Sequence, residues 1–316
     1  MNNYFVKKYS LITDSNPFFK LIKYYAIKRL LIRSLANIFI PIWFHLTNIL
    51  RKKKLNMSKR NIKIIVSLTT FPARIDRVWI VIECMLRQTL PPDRIILWLS
   101  KGQFESLQSL PNNLLRLQER GVEIEFCEED LRSHKKYFYN IKKYPSDILI
   151  TVDDDFIYPS NLIQELIKSH LKFPHAICCL RAVQMKTKDN VVLPYNQWEY
   201  IYKQTDPSFK IFFTSGGGTL FPPNSLHEEV LNKNIFLNYC KYADDVWLNL
   251  MSQMNYTKVV KSSSNYDISI PLYIRGNSTL ESINVDNGLN DEQLNNVRNY
   301  YIKNKSIDPL NNLLLD

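Results

Sequence analysis

From residue 61 onward, short apolar runs rich in β-branched residues alternate with longer stretches whose apolar side chains recur at helical spacing. IKIIVSL (62–68) reads as a buried strand, and in RVWIVIECMLRQ (77–88) Val78, Val81/Ile82 and Met85 share one helical face. PPDR turns the chain into IILWLS (95–100), a second strand. Residues 111–120 fit a helix with Leu114 and Leu117 on one side and Gly121 as its stop. VEIEF (122–126) is a third strand, HKKYFYNIKKY (134–144) a helix, ILITV (148–152) a fourth strand and SNLIQELIKSHLKF (160–173) a further helix. This alternation predicts an α/β fold with a doubly wound, mostly parallel sheet. Ligands of such sheets sit beyond the carboxyl ends of strands, and there ILITV runs into Asp153-Asp154-Asp155.

The first 60 residues follow another pattern. In FFKLIKYYAIKRLLIR (18–33), Leu21/Ile22 and Tyr25 alternate with Lys20, Lys23, Lys28 and Arg29, as in a basic amphipathic helix. Residues 34–50 carry no formal charge, contain Pro41 and Trp43, and end in Arg51-Lys52-Lys53-Lys54. The stretch is at the lower limit for crossing a bilayer, and proline interrupts it. The pattern predicts a pair of interfacial helices on an anionic membrane face, with Trp43 at headgroup depth. A single span and a helix packed on the body are the alternatives. The apolar run starts late and lacks a small-residue cleavage site, so a cleaved signal peptide is not expected. NMSKR (56–60) reads as a linker.

Charge sharpens this division. The net charge is +11, yet residues 1–60 hold 13 Lys/Arg against Asp14 alone, leaving 28 Lys/Arg against 29 Asp/Glu in the rest. A nearly neutral body argues against nucleic acid as a partner. The organisation expected is a basic membrane-associating arm (1–60), a catalytic domain (61–260, divided near 158 into two halves) and a tail (261–316) with a helix at 291–303 that either covers the site or packs on the body. Cys84, Cys127, Cys178, Cys179 and Cys240 form no C-x-x-C pair, which fits reduced thiols in a cytoplasmic protein.

Three adjacent carboxylates repel one another unless a cation or several donors neutralise them. Hard oxygen ligands suit Mn²⁺ or Mg²⁺ bridging to a diphosphate, and in extended backbone Asp153 and Asp155 point one way while Asp154 points the other. The rival explanation is a solvated acidic turn or helix cap. Gly216-Gly217-Gly218 allows close backbone approach to a ligand, or forms a mobile hairpin turn. Asp244-Asp245 precedes the apolar helix VWLNLM; one of these acids is enough to cap it. His134, His170, His175 and His227 have no metal-ligand spacing, and His45 lies in the arm. Neither a G-x-x-x-x-G-K-[ST] loop nor a G-x-G-x-x-G after a strand is present.

Taken in order, these motifs resemble those of the GT-A nucleotide-sugar glycosyltransferases, specifically bacterial family-two relatives that build capsule and cell-surface polysaccharide. The match covers about residues 62–260 and rests on Thr69-Thr70-Phe71-Pro72-Ala73-Arg74 after the first strand, Leu86-Arg87-Gln88-Thr89, the D-x-D-like end of ILITVDDD, and the glycines followed by Ala243-Asp244-Asp245-Val246-Trp247. The resemblance implies that Thr69, Thr70, Phe71, Arg74, Lys136, Asp153 and Asp154 bind a nucleotide-sugar donor, with Mn²⁺ or Mg²⁺ on Asp153 and Asp155. It implies Asp245, or else Asp244, as the base, and Gly216, Gly217, Gly218, Trp198 and Trp247 toward a glycan or lipid-linked acceptor. The expected location is the inner face of the plasma membrane. One departure is Trp98-Leu99-Ser100 where the family commonly has an acidic pair; Asp130, Arg132 and Lys136 are the substitutes within EEDLRSHKKYF, Lys136 being suited to phosphate or, alternatively, to a solvated helix face. The alternatives to a glycosyltransferase are a sugar nucleotidyltransferase of related fold and a non-catalytic membrane scaffold.

Overall fold

The computed structural model describes every residue except 13–15, 17, 20–21, 51–54, 190, 263–268 and 274–287. The basic run Arg51–Lys54 and part of the C-terminal tail thus lie outside the described residues. Four parallel strands form one half of the central sheet: β1 (Ile64–Thr69), β2 (Arg94–Ser100), β3 (Glu123–Cys127) and β4 (Ile148–Val152). The two-residue β5 (Phe156–Ile157) follows the acidic triplet, and then come β6 (Ile177–Cys179), β7 (Ala182–Gln184), β8 (Thr187–Lys188), β9 (Val191–Val192), β10 (Glu199–Tyr200), β11 (Ile211–Phe213), β12 (Gly217–Phe221), β13 (Val259–Lys261) and β14 (Ile270–Pro271). The seven-stranded sheet has the order β13-β6-β12-β4-β1-β2-β3. Only β12 runs against its neighbours, β4 and β6. The chain is therefore an α/β protein with a mostly parallel sheet, as its periodicity predicts.

The helices are α1 (Asn2–Ser10), α2 (Tyr24–Leu50), α3 (Ile75–Leu86), the single-turn α4 (Asn112–Leu115), α5 (Lys135–Lys143), α6 (Leu162–Lys172), α7 (Lys233–Tyr239), α8 (Asp244–Met254) and α9 (Leu289–Lys305). Alternation along β1 explains the layering. Val66 and Leu68 belong to the core that contains Val78, Val81 and Met85 of α3, whereas Ile65 joins Ile96 and Trp98 against Tyr139 of α5. Apolar residues on both strand faces are what a doubly covered sheet requires. The helix expected over 111–120 is broken into α4 and a 3₁₀ turn at Gln118–Arg120. That tightening lets Arg120 pair with Glu83, itself buried on α3, and Gly121 ends the turn at φ +91°.

The N-terminal arm is part of the body. Val6 of α1 and Ala36, Ile40 and Phe44 of α2 lie in the main core, and Asn3 Oδ1 accepts from the Ser160 amide at 2.7 Å. The expected break at Pro41 does not occur: α2 is one 27-residue helix with the proline inside it. Packing of Ala36, Ile40 and Phe44 on either side of the ring offsets the missing backbone bond. Residues 56–60 are likewise no free linker, because Asn56 Nδ2 (2.5 Å) and Arg60 Nη1 (2.8 Å) both donate to Asp93. At the other end, α9 packs on α7 and α8 through Leu294, Val297 and Tyr301, so this part of the tail belongs to the body.

One side chain locks the end of β4 to β12. The buried Tyr158 hydroxyl donates to Gly216 O at 2.5 Å and accepts from the Asp153 amide at 2.9 Å. Replacing it by phenylalanine removes both hydroxyl bonds and leaves the Asp153 amide and Gly216 O only their longer bond to each other at 3.3 Å, a loss of about 1–3 kcal/mol for buried polar groups. Tyr158→Phe is expected to lower unfolding free energy in urea by about 2 kcal/mol; an unchanged midpoint would show that water replaces the hydroxyl.

Candidate functional site

Five carboxylates and two cations meet at the carboxyl edge of the sheet. Asp153, Asp154 and Asp155 leave β4, while Asp244 and Asp245 open α8. Asp154 turns inward: its oxygens accept from Thr70 Oγ1 at 2.5 Å and Arg74 Nη1 at 2.7 Å, and all three residues are buried. The same Arg74 nitrogen lies 2.9 Å from Asp155 Oδ2. Asp153 keeps 40% of its side chain exposed, and Asp155 Oδ1 is buried with no hydrogen-bond partner among the described residues. Asp154 thus serves the fold, Asp155 shares its Arg74 nitrogen through one oxygen, and Asp153 is the most exposed of the three and pairs with Lys136.

Lys136 joins the two acidic groups. Its Nζ lies 2.8 Å from Asp153 Oδ1 and 2.9 Å from Asp244 Oδ2, and its side chain is 3% exposed. Burial works against its charge, but Asp153, Asp244 and Asp245 outweigh that and raise its pKa. It is not a solvated helix residue. Asp244 also accepts from Ser215 Oγ at 2.5 Å. Burial alone would raise the Asp244 pKa, yet Lys136, His134 and Ser215 lower it to about 2. Asp245 takes the Ser215 amide on Oδ1 at 2.7 Å. Burial and the adjacent Asp244 push its pKa up to about 7, and burial with Asp153 does the same to Asp155. The pair at α8 thus contains one locked anion and one group poised near neutrality.

Several sequence-predicted contacts change role. Thr70, Arg74 and Asp154 hold the acidic turn from within, and Thr69 Oγ1 donates to Trp98 O at 2.8 Å. Phe71 is half-buried, with the Arg74 guanidinium 5.1 Å from its ring centroid. The glycines form no open loop, since Gly217 and Gly218 begin β12 and the Gly217 amide donates to Thr214 O. A Cβ on Gly216 would lie 1.6 Å from Asp153 Oδ2, and one on Gly217 would lie 2.5 Å from Arg181 Cβ. Their smallness serves the packing of the acidic strand end, and Gly218 also needs its φ of +94°. Trp198 and Trp247 are core residues, not acceptor contacts: they are 7% and 0% exposed, and their indole nitrogens donate to Leu193 O and Val230 O. An apolar ring with its single donor satisfied gains most by burial.

Among the substitute base-binding candidates, Asp130 pairs with Lys135 at 2.5 Å, and Arg132 lies over Tyr242. His134 is buried between Tyr137 Oη and Cys240 O, and burial lowers its pKa to about 4. Sequence reasoning missed Ser215, Tyr158 and Arg181. Ser215 directly precedes the glycines, Tyr158 follows the acidic triplet by three residues, and Arg181 packs beside Gly217 with its guanidinium 6.0 Å from the Phe156 ring. All five cysteines are buried and free. A cavity of about 190 Å³ lined by Asn140, Tyr144, Asp147 and Phe221 lies at the opposite edge of β1 and β4 and contains none of the five site carboxylates.

No protein-family model and no curated protein matches the chain. Among solved structures, S. aureus TarS 1–349 aligns at 14% identity over 77% of this chain and 73% of that one, with a TM-score of 0.41. The 2-C-methyl-D-erythritol 4-phosphate cytidylyltransferase of Francisella tularensis aligns at 12% identity over 72% and 99%, with a TM-score of 0.38. The inositol-1-phosphate CTP transferase of T. maritima aligns at 11% over 64% and 85%, with a TM-score of 0.35.

The raised pKa values carry a stability consequence. A carboxylate whose folded pKa lies above its unfolded one costs stability progressively as pH rises from about 4 to about 7, and the full cost persists above that. Asp155 and Asp245 fall in this class; Asp244 is the reverse, supporting the fold above about pH 4 and losing that support as pH falls toward 2. Asp155→Asn and Asp245→Asn are each expected to raise stability by about 1–3 kcal/mol at about pH 8 and by less at about pH 5. Melting curves at both pH values decide it. Lower stability of both variants at the higher pH would mean the carboxylates hold the fold together.

Proposed function

We propose that this chain is a glycosyltransferase that moves a sugar from a nucleoside-diphosphate sugar to an acceptor hydroxyl. The observation that carries the proposal is the asymmetric pairing at the sheet edge. Asp154 is spent on Thr70 and Arg74, Asp155 meets the same Arg74 nitrogen through one oxygen only, and Asp153 pairs with Lys136 while staying 40% exposed. A near-neutral Asp245 stands across the Lys136 bridge from them. Asp155 Oδ1, buried without a hydrogen-bond partner among the described residues, is an oxygen free to take a ligand.

The donor set fits Mn²⁺ or Mg²⁺. Among the described residues no three His, Cys, Asp or Glu side chains form a metal cage, and Mg²⁺-type sites built on one or two carboxylates complete their shell with substrate phosphates and water. Asp153 and Asp155 are the residues that would hold the ion, which supplies charge neutralisation for the leaving diphosphate when bound. Arg74 orients Asp155 through the 2.9 Å contact, and Lys136 fixes Asp153 while contributing positive charge of its own. With Oδ1 held by the Ser215 amide, Asp245 Oδ2 is the oxygen that takes the acceptor proton, and a pKa of about 7 suits a base working near neutral pH. Asp244, kept ionised by Lys136, holds Asp245 in the raised range.

A panel of nucleotide sugars with and without EDTA and Mn²⁺ tests this reading. Asp245→Asn is expected to lower kcat by roughly 100- to 10,000-fold while keeping donor-induced thermal stabilisation, and the wild-type rate is expected to rise with pH and level off above about 7. Gly216→Ala, which drives a methyl into the Asp153 carboxylate, is expected to abolish metal-stimulated turnover. Transfer that ignores EDTA and survives both Asp153→Asn and Asp245→Asn would refute the reading. Pyrophosphate release from a nucleoside triphosphate and a sugar phosphate would identify a nucleotidyltransferase instead.

A further inference from the structure

Helix α2 presents two different faces. Ala36, Asn37, Ile40 and Phe44, at its middle, are buried against the body. On the other side Leu31, Leu35, Ile38, Ile42, Leu46 and Ile49 follow one another at intervals of three and four, and each is 45–81% exposed. Trp43 (44%) and Phe39 (50%) border this stripe. No described residue covers it. Along a helix of this length the stripe extends about 30 Å, far more contiguous apolar surface than soluble monomers ordinarily expose. Exposed Lys23 and Lys28 stand at its amino-terminal end, the neighbouring α1 carries exposed Lys7 and Lys8, and the sequence continues past its other end into Arg51-Lys52-Lys53-Lys54.

We propose that the outer face of α2 lies flat in the surface of an anionic bilayer, its apolar stripe among the acyl chains and the flanking lysines on lipid phosphates. Basic charge beside an apolar stripe, here Lys7, Lys8, Lys23 and Lys28, complements a negatively charged interface, with about 1 kcal/mol from each lysine near the surface. By length and composition alone α2 is apolar enough to cross a membrane. Its middle is docked, however, and polar contacts fasten it. Arg33 Nε and Nη2 donate to Pro271 O and Leu272 O, both at 3.1 Å, and Asn37 accepts from the Tyr273 amide at 2.8 Å. A crossing helix would have to give up these bonds and its buried stripe.

The same contacts tie the membrane face to the acidic site. β14 pairs with β5, and the Leu272 amide donates to Asp155 O at 2.7 Å. One two-stranded ribbon therefore separates α2 from the Asp153–Asp155 turn. On the transferase reading above, from which this clause alone follows, an acceptor carried by a lipid meets the site from the adjacent bilayer.

Co-sedimentation of the full chain with vesicles tests the membrane face without any activity assay. Wild type is expected to bind phosphatidylglycerol-containing vesicles and to bind pure phosphatidylcholine vesicles about tenfold or more weakly. Ile38→Glu/Ile42→Glu is expected to reduce binding to the anionic vesicles by about a hundredfold with an unchanged melting curve, and the single Leu46→Glu to reduce it by about tenfold. Brominated lipids should quench Trp43 fluorescence most strongly when brominated near the headgroup. The proposal is overturned if the glutamate variants bind as wild type does, or if protease added to sealed vesicles shows the two ends of α2 on opposite sides. Loss in Ile38→Glu of a wild-type dimer seen by light scattering, without vesicle binding, would equally overturn it and assign the stripe to a second copy of the chain.

Discussion

A lysine ammonium removed from water keeps its charge only where carboxylates surround it, and the architecture of this protein's site follows from that constraint at Lys136. The residue belongs to α5 and reaches both the end of β4 and the start of α8. It thereby joins the strand that delivers the acidic triplet to the helix that delivers the second acidic pair. Gly216 has no room for a side chain because Asp153 occupies that space on its way to Lys136. Ser215 serves both carboxylates of α8, one by its hydroxyl and one by its amide. Tyr158 then fastens β4 to β12 directly beneath.

The distribution of charge around this bridge gives the acids different surroundings. Asp154 and Asp244 each bond a nearby cation and a hydroxyl, yet burial still raises the Asp154 pKa whereas Lys136, His134 and Ser215 lower that of Asp244. Burial, and then the charge of neighbouring carboxylates, moves both Asp155 and Asp245 to about 7. Like carboxylates placed in different surroundings are a recurrent physical basis for dividing acid, base and ligand roles. The surrounding sheet is conventional, and β1, β2, β4 and β12 are buried along almost their whole length.

Much of the sheet was legible because parallel strands must be apolar on both sides. β4 occupies the residues its pattern predicts, and β1, β2 and β3 shift by at most two residues. The acidic strand end was legible for the same reason: three charges directly after a buried strand have no packing rationale. Less was legible where a role depends on a distant partner. Nothing local says that Thr70 and Arg74 will be consumed by Asp154, or that Lys136 will find Asp244. The family resemblance placed Trp198 and Trp247 toward the acceptor, but a resemblance does not report exposure, and both sit in the core. Pro41 misled in the opposite direction: local propensity argued for two helices, and packing of Ala36, Ile40 and Phe44 made one.

On the proposed function, a divalent ion shared with a diphosphate completes the acidic edge. Calorimetric titration of Mn²⁺ in the presence of nucleoside diphosphates, on wild type and Asp155→Asn, tests it without requiring the acceptor to be known. The account expects Mn²⁺ and diphosphate to bind together, with affinity for the ion falling about tenfold or more in the variant. Equal Mn²⁺ affinity in the two proteins, or diphosphate binding that is unchanged in EDTA, would contradict it.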